Sequence, residues 1–247
     1  MQKPEIYHYD KISSTNSELK RLQAIAKLPE FSIVISEYQT KGRGLKDNFW
    51  ESEKGENLTF SILLYPQFIE VQYQFCLNFI ITVAIIDVLK KELSDLKIKW
   101  TNDIYVNDKK IAGILIENFI MGDKIDYSII GIGLNVNQIN FISDAPNPIS
   151  MKQLTNKQYN IEMLFNDITN SIINRYTQFV DEGIYNIRNE YHTNLYRNNG
   201  YYKYKDKNGV FFAKTEKVED TGYLILIDED GEKRSYAFKE VEIMVNG

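Results

Sequence analysis

The sequence has few of the residues that most often carry metal, redox or covalent chemistry. It contains one cysteine, Cys76, so neither an internal disulfide nor a cysteine pair for redox or zinc chemistry is available. Its two histidines, His8 and His192, lie far apart and have no metal-ligand spacing. We therefore expect structural roles for both histidines, and any chemistry has to come from other side chains.

An excess of positive charge and a long hydrophobic run are also missing. The 29 Lys and Arg residues against 34 Asp and Glu residues give a net charge of −5, which argues against general binding to nucleic acid. The longest apolar run, FIITVAII at 79–86, is too short to cross a bilayer, and the N-terminus has no apolar signal core. We therefore predict a cytoplasmic protein that binds neither DNA nor membranes.

What the sequence does contain is enough apolar material for a large core. A chain of 247 residues with 43% hydrophobic and 26% charged residues is globular, and its length allows one large domain or one large and one small. Mixed helix and strand patterns run to about residue 194. Short strands with turn signals then follow, which predicts a first domain at 1–194 and a small barrel at 195–247.

Several elements can be placed before any site is considered. Buried strands are predicted at 32–39 and 57–66, a long buried helix at 71–93, and a pair of helices between 161 and 191 that breaks near Gly183. Two further strands are predicted in IAGILIENFI and DYSIIGIGLNVN.

A helix is expected to begin in STNSELKRLQAIAKL. Thr15 followed by Glu18 is a capping-box pattern, and Leu19 and Leu22 then repeat at helical spacing. Ser14, Thr15 and Asn16 should therefore lie at a helix N-terminus, where capping alone would explain them.

The stretch EYQTKGRGLKDNFW at 37–50 follows a predicted strand. Gly42 and Gly44 let the backbone turn tightly and approach a ligand, while Arg43 offers a planar fork of donors for phosphate or carboxylate oxygens. A plain turn would use the same residues, so an anion site remains one of two interpretations.

Two other stretches carry more special residues than folding requires. KWTNDIYVNDKKIAG at 99–113 places several charges on a predicted hairpin, which indicates either a solvated hairpin or an anion site built on strands. In GIGLNVN at 131–137, Gly131 and Gly133 interrupt an apolar strand, which indicates either a bulge or space for a ligand or a neighbouring group.

Taken together, these motifs resemble those of biotin protein ligases, also called biotin-[acetyl-CoA-carboxylase] ligases. The matching motifs follow the family order: STN at 14–16, EYQTKGRG at 37–44, KWTNDIYVNDKKIAGILIE at 99–117 and GIGLNVN at 131–137. The resemblance extends over nearly the whole chain from about residue 5, including the barrel. It is to the form without an N-terminal DNA-binding domain, so no binding to operator DNA is expected.

The resemblance implies an α+β fold of the class II aminoacyl-tRNA synthetase and biotin ligase type, with a mixed sheet backed by helices and a C-terminal SH3-like barrel. It also implies two reactions. Biotin and ATP form biotinyl-5′-AMP, and a lysine of a biotin carboxyl carrier domain then takes the biotin. Mg²⁺ is expected with ATP, although the sequence indicates no set of ligands for it. A homodimer is possible in this family.

The resemblance also implies roles for individual residues. The positions matched to biotin binding are Ser14, Thr15, Asn16, Gln39, Gly42, Arg43, Gly44, Lys110, Gly113, Gly131 and Gly133, and those matched to ATP or the adenylate are Arg43, Leu45, Trp50, Asn102, Lys110 and Asn135. Lys110, Arg43 and Asp103 match the catalytic positions. Lys110 is expected to contact the biotinyl carboxyl and the phosphate, and Asp103 to position Lys110 or to take a proton from the carrier lysine.

The chain departs from the family pattern at two places. Leu45, Asp47 and Asn48 replace the second arginine, the next glycine and the last arginine of GRGRxGR, and Thr101 replaces the proline of KWPND. Losing two cations changes how the loop would hold an anionic adenylate. Two alternatives therefore stay open: a lipoate ligase or transferase, whose fold is related, and a biotin-binding or regulatory protein without turnover.

Overall fold

The computed structural model describes residues 3–44, 48–142 and 147–244, and in them the chain forms two β-sheets. The larger is mixed, with strand order β1-β2-β3-β7-β6-β5-β4, in which β1 and β2 are parallel and the other neighbours antiparallel. Its strands are β1 Ile6–Tyr9, β2 Ile33–Ser36, β3 Leu58–Leu64, β4 Leu96–Lys99, β5 Asp103–Val106, β6 Lys109–Met121 and β7 Lys124–Leu134. The predicted mixed sheet is confirmed.

Helices cover both faces of this sheet. They are α1 Thr15–Ala26, α2 Cys76–Leu89, α3 Met151–Thr155, α4 Ile161–Glu182 and α5 Tyr185–Thr193. The central strand β3 is buried on both faces, because Phe60 and Ile62 join the large core that includes α2 and α4 while Leu63 joins a smaller core with Leu19 of α1. The predicted helix break at Gly183 is confirmed, and its φ of 79° explains the glycine.

Helix α2 is the core helix of the larger domain. It buries every residue except Asn78 and Asp87, and burial raises the pKa of the Cys76 thiol to about 12. Together with the short 3₁₀ turn before it, the segment Val71–Leu89 is long and apolar enough to cross a membrane by length and composition alone. The fold buries 67% of its most apolar 18 residues, which is the behaviour of a core helix.

The second sheet is antiparallel, with strand order β11-β10-β9-β8-β12. Its strands are β8 Tyr202–Asp206, β9 Gly209–Val218, β10 Leu224–Asp228, β11 Lys233–Tyr236 and β12 Glu242–Ile243. The short strands predicted after residue 194 are therefore confirmed, and five of them form this sheet. The exact division at 194/195 stays a prediction, since Tyr196 still pairs with the edge of the first sheet through Ile98.

Direct contacts join the two sheets close to the KWTND segment. Trp100 Nε1 donates to Gly222 O at 3.0 Å, and the Phe238 ring lies edge-on against the Trp100 ring, with their centroids 6.1 Å apart. A residue of the predicted hairpin motif is therefore also the point where the small domain packs on the large one.

Candidate functional site

One cavity of about 220 Å³ gathers most of the residues singled out in the sequence. The predicted residues on its wall are Ser14, Thr15, Asn16, Gln39, Arg43, Gly44, Trp50, Asn102, Asp103, Lys110, Gly113, Gly131 and Gly133. They come from the start of α1, the loop after β2, the turn between β4 and β5, and strands β5, β6 and β7. Segments far apart in the chain therefore meet at one place.

The start of α1 supplies a buried polar network to this cavity. Thr15 N donates to Gln39 Oε1 at 2.7 Å, and Ser61 Oγ lies 2.7 Å from Thr15 Oγ1 and 2.6 Å from Asn16 Oδ1. The residues were correctly placed at a helix N-terminus, but the predicted capping box is wrong. Ser14 is the N-cap and its side chain makes no capping hydrogen bond, while Glu18 pairs with Arg21. These hydroxyl and amide groups bond to one another in the wall of the cavity and do not cap the helix.

The two glycines of GIGLNVN make room for side chains of the wall. A Cβ at Gly131 would lie 2.1 Å from Asn16 Oδ1, and a Cβ at Gly133 would lie 2.3 Å from Trp50 Cε2. Both glycines pair in regular register with β3 and β6, so the bulge interpretation is wrong. Their backbone is closely approached by Asn16 and Trp50.

Lys110 and Asp103 form an ion pair on the wall. Lys110 Nζ lies 2.7 Å from Asp103 Oδ1, and their side chains are 25% and 26% exposed. The pairing of β5 with β6 skips Ile111, whose side chain is fully buried. This register shift puts Lys110 on the same face as Gly113, which faces the cavity, whereas strict alternation would have turned Lys110 away.

Arg43 lies between Gly42 and Gly44 in the loop after β2 and reaches the same cavity. Its guanidinium binds the carboxylate of Glu117 in β6. Arg43 Nη1 and Nη2 donate to Glu117 Oε2 and Oε1 at 3.2 and 3.0 Å, which is a bidentate fork. Asn16 Nδ2 donates to the same Glu117 Oε2 at 2.7 Å. One carboxylate therefore joins the polar network of α1 to the arginine of the loop.

The side chain of Trp50 packs the loop after β2 against strands β6 and β7. Its ring packs against the backbone of Gly133 and Gly113, with Lys110 Nζ 5.7 Å from the ring centroid. Gly42 accepts at its carbonyl from Trp50 N at 3.0 Å, and a Cβ at Gly42 would lie 2.4 Å from Trp50 O. Gly42 therefore supports the loop from behind the wall. Trp50 Nε1 is buried and has no hydrogen-bond partner among the described residues.

Two of the predicted residues that the structure describes, Asn135 and Gly42, are not on the wall. Asn135 is 3% exposed and lies behind it, where its Nδ2 donates to Ile149 O at 3.2 Å. Gly42 has the supporting position given above. Leu45 lies outside the described residues, as does Asp47 among the departures from the family pattern. Asn102 is on the wall, but its Nδ2 donates to the Ile114 backbone carbonyl.

Sequence patterns missed several residues of the site. Ser61 and Glu117 complete the polar network, while Trp100, Phe238 and Lys239 add wall from the contact with the small domain. Lys239 has a φ of 73°, an uncommon backbone conformation for a lysine. Glu117 is the last residue of the quoted motif KKIAGILIE. An acidic residue in an otherwise apolar strand was the signal that could have identified it as a site residue.

Comparisons with known proteins show what this chain is similar to. Residues 9–135 match the model of the biotin/lipoate A/B protein ligase family. The bifunctional ligase/repressor BirA of Bacillus subtilis is 30% identical over 238 residues, which cover 94% of this chain and 72% of that protein. Biotin–protein ligase 2 of Arabidopsis thaliana is 39% identical over 121 residues, 45% of this chain and 35% of that protein.

Solved structures match over nearly the whole chain. Biotin protein ligase from Aquifex aeolicus in complex with biotin and ATP has a TM-score of 0.79 at 21% identity, covering 98% of this chain and 99% of that one. Biotin protein ligase from Leishmania major in complex with biotinyl-5-AMP has a TM-score of 0.64 at 22% identity, covering 96% and 100%. At such identities the likeness establishes the fold: a mixed sheet backed by helices, with a small C-terminal β domain of the SH3-like type.

Proposed function

Because this chain belongs to the biotin/lipoate A/B protein ligase family, we propose that it acts as a biotin protein ligase, which joins biotin to ATP as biotinyl-5′-AMP and then passes biotin to a lysine of a carrier domain. The observation that carries the proposal is that Arg43 and Lys110, from separate segments, line one cavity with the polar network of α1. Two cations beside neutral hydrogen-bonding groups suit a ligand with a polar, uncharged head and an acid at its other end.

The first reaction needs positioning more than proton transfer. The carboxylate of biotin is itself the nucleophile towards the α-phosphorus of ATP, so the protein has to hold two anions together and stabilise the charge that develops. In our proposal the ammonium of Lys110 lies between them, as a compact charge that can follow the negative charge as it moves. Asp103, 2.7 Å from Lys110 Nζ, holds the ammonium in place. The scarcity of histidine is no obstacle to this chemistry.

The head group of biotin is assigned to the other end of the cavity. Its ureido ring presents two N–H donors and one carbonyl acceptor. Ser14, Thr15, Asn16 and Gln39 are on the wall there, and their side chains are buried and neutral. A buried network of hydroxyl and amide groups binds such a ring without the cost of burying a charge.

The second reaction transfers biotin to an amine. The ε-amine of the carrier lysine attacks the biotinyl carbonyl, AMP leaves, and the amine loses a proton. In our proposal Asp103, which lines the cavity, accepts this proton once Lys110 is engaged by the ligand. Trp50 is assigned to stacking on adenine, and Asn102 to the nucleotide side. The roles of Leu45 and Asn135 remain predictions from the family pattern alone.

Mg²⁺ receives no dedicated protein site in this proposal. Among residues 3–44, 48–142 and 147–244 no group of three potential metal ligands occurs, and the carboxylate of Asp103 is already paired with Lys110. A magnesium ion would be carried mainly by the phosphates of ATP, as is usual for this ion.

The partner is proposed to be the biotin carboxyl carrier domain of a biotin-dependent carboxylase, such as acetyl-CoA carboxylase. We place the reaction in the cytoplasm, where ATP is available. A net charge of −5 supports the prediction that the chain does not bind operator DNA. A homodimer and the absence of membrane binding likewise remain predictions.

Arg43→Ala is expected to release the intermediate faster. Loss of hydrogen bonds to a charged group costs roughly 1.5–3 kcal/mol, so the affinity for biotinyl-AMP should fall by about 10- to 150-fold, while free biotin, which lacks the phosphate, loses less. Calorimetric titration of each ligand measures the two effects. Arg21→Ala is the matched control, because Arg21 makes a similar fork to Glu18 outside the cavity. Equal losses for both ligands would mean that Arg43 does not distinguish them.

The function itself is tested by transfer of labelled biotin to a purified carrier domain. We expect label on the carrier only when ATP is present. Transfer of lipoate in place of biotin would favour a lipoate ligase, and binding of biotin without release of pyrophosphate would favour a protein that binds biotin without turnover. Either result would overturn the proposal.

A further inference from the structure

Glu117 makes contacts that the two proposed reactions do not use. Its carboxylate accepts the bidentate fork of Arg43 and the amide of Asn16, so it lies at the junction of the proposed head-group pocket and the nucleotide loop. The Glu117 side chain is 24% exposed and is not on the cavity wall, whereas both of its partners are. It therefore acts on any ligand through other side chains.

Arg43 is the only arginine between residues 40 and 50. The position of its guanidinium then matters more than in a loop with several arginines. Arg43 is 45% exposed, and an arginine side chain left to itself on a surface samples many rotamers. The bidentate fork with Glu117 restricts that freedom.

The fork leaves Arg43 able to bind an anion. A guanidinium has five N–H donors, and the two bonds to Glu117 use one on Nη1 and one on Nη2. Three N–H groups remain for phosphate or carboxylate oxygens. Glu117 is not among the residues that line the cavity, and its negative charge is paired with the guanidinium of Arg43.

We propose that Glu117 is a positioning residue that fixes Arg43 and Asn16 to one carboxylate, so that the cation for the adenylate is already in place when biotin occupies the head-group pocket. The inference rests on the proposed ligase function. It predicts that the loss of Glu117 acts on the retention of biotinyl-AMP, through Arg43, far more than on the binding of biotin alone.

Glu117→Gln separates the two contacts. A glutamine whose amide oxygen takes the place of Oε2 still accepts from Asn16, but its NH₂ group then faces Arg43 Nη2, so the fork cannot form. Misplacing a positioned group by about 1 Å costs up to roughly 100-fold, and we expect biotinyl-AMP to be released about 10-fold faster or more. We expect the dissociation constant of biotin to change by less than about threefold, because the Asn16 contact survives.

The matched control is Glu18→Gln. Glu18 also accepts a bidentate arginine fork and a third hydrogen bond, from Tyr9, but it lies on α1 outside the cavity. We expect wild-type retention of biotinyl-AMP in this variant.

The experiment loads each protein with labelled biotin and ATP, chases with unlabelled biotin, and follows the release of biotinyl-AMP. Glu117→Gln is also measured in the Arg43→Ala background, where it should cause no further acceleration because its target is gone. Glu117→Asp keeps the charge but shortens the side chain, and it should lie between wild type and Glu117→Gln. This second variant serves if the first does not fold.

The outcomes are distinct. Wild-type protein that formed no biotinyl-AMP would overturn both the ligase function and this inference. Wild-type retention in Glu117→Gln and Glu117→Asp, or the same acceleration by Glu117→Gln with and without Arg43, would overturn the inference alone. A loss of biotin affinity equal to the loss of retention would also overturn it, since that is the result expected for a purely structural residue.

Discussion

Lys110→Ala should reduce the formation of biotinyl-AMP by about 10²- to 10³-fold, the usual effect of removing one group that stabilises developing charge. The ammonium of Lys110 is on the wall of the shared cavity and is held by Asp103 at 2.7 Å. In the proposed reaction it lies between two anions, and no neutral side chain can replace it there. Biotin-dependent exchange of labelled pyrophosphate into ATP measures the effect.

The fold should tolerate this substitution. The pair of Lys110 and Asp103 is about three-quarters buried, yet water still reaches both groups, so we expect the free energy of unfolding to fall by no more than about 1 kcal/mol. Lys109→Ala is the control, because Lys109 is the exposed neighbour in the same strand and is not on the cavity wall. Turnover near the wild-type level in Lys110→Ala, with correct folding, would remove this lysine from the mechanism.

Gly131→Ala should impair the binding of biotin itself. The new Cβ would lie 2.1 Å from Asn16 Oδ1, so the amide has to move. Asn16 is not free to move, because its amide bonds to Ser61 and Glu117. Overpacking of this kind costs about 1–3 kcal/mol, which corresponds to a loss of biotin affinity of roughly 5- to 150-fold. Calorimetric titration with biotin measures it.

Gly200→Ala is the matched control for that substitution. A Cβ at Gly200 would meet its nearest neighbour, in the ring of Tyr202, at 3.5 Å, which is an ordinary contact. We expect biotin to bind this variant as it binds the wild type. Unchanged biotin affinity in Gly131→Ala would show that the pocket beside Asn16 does not receive the ligand.

Local patterns in the sequence were sufficient for most of the fold. The strands β6 and β7, the buried helix α2 and the helix break at Gly183 were each predicted from neighbours along the chain, and the structure contains all of them, with α2 shorter than the predicted 71–93. The capping box failed because Thr15 bonds outside its helix: its backbone N–H and its hydroxyl both donate to Gln39 in the loop after β2. A rule that uses only neighbouring residues could not detect these hydrogen bonds to a distant residue.

Residues that meet in the cavity could be named from the sequence where a motif contains them, but not where distant segments come together. Arg43, Asp103 and Lys110 could be named from their motifs, and the structure brings them to one cavity. In the sequence Glu117 is only one charge in an apolar strand. Its role becomes visible in the fold, which brings Asn16 and Arg43 into contact with it. Phe238 reaches the cavity only because the small domain packs against the Trp100 ring, an arrangement that depends on tertiary packing alone.

Exchange of labelled pyrophosphate into ATP by the wild-type protein tests the central claim most directly. If Arg43 and Lys110 activate the acid group of biotin by joining it to AMP, label should enter ATP only when biotin is present, and mass spectrometry should detect biotinyl-AMP on the protein. Biotin methyl ester, which lacks the free carboxylate, should support no exchange. Tight binding of biotin without exchange, or equal exchange with the ester, would contradict the account.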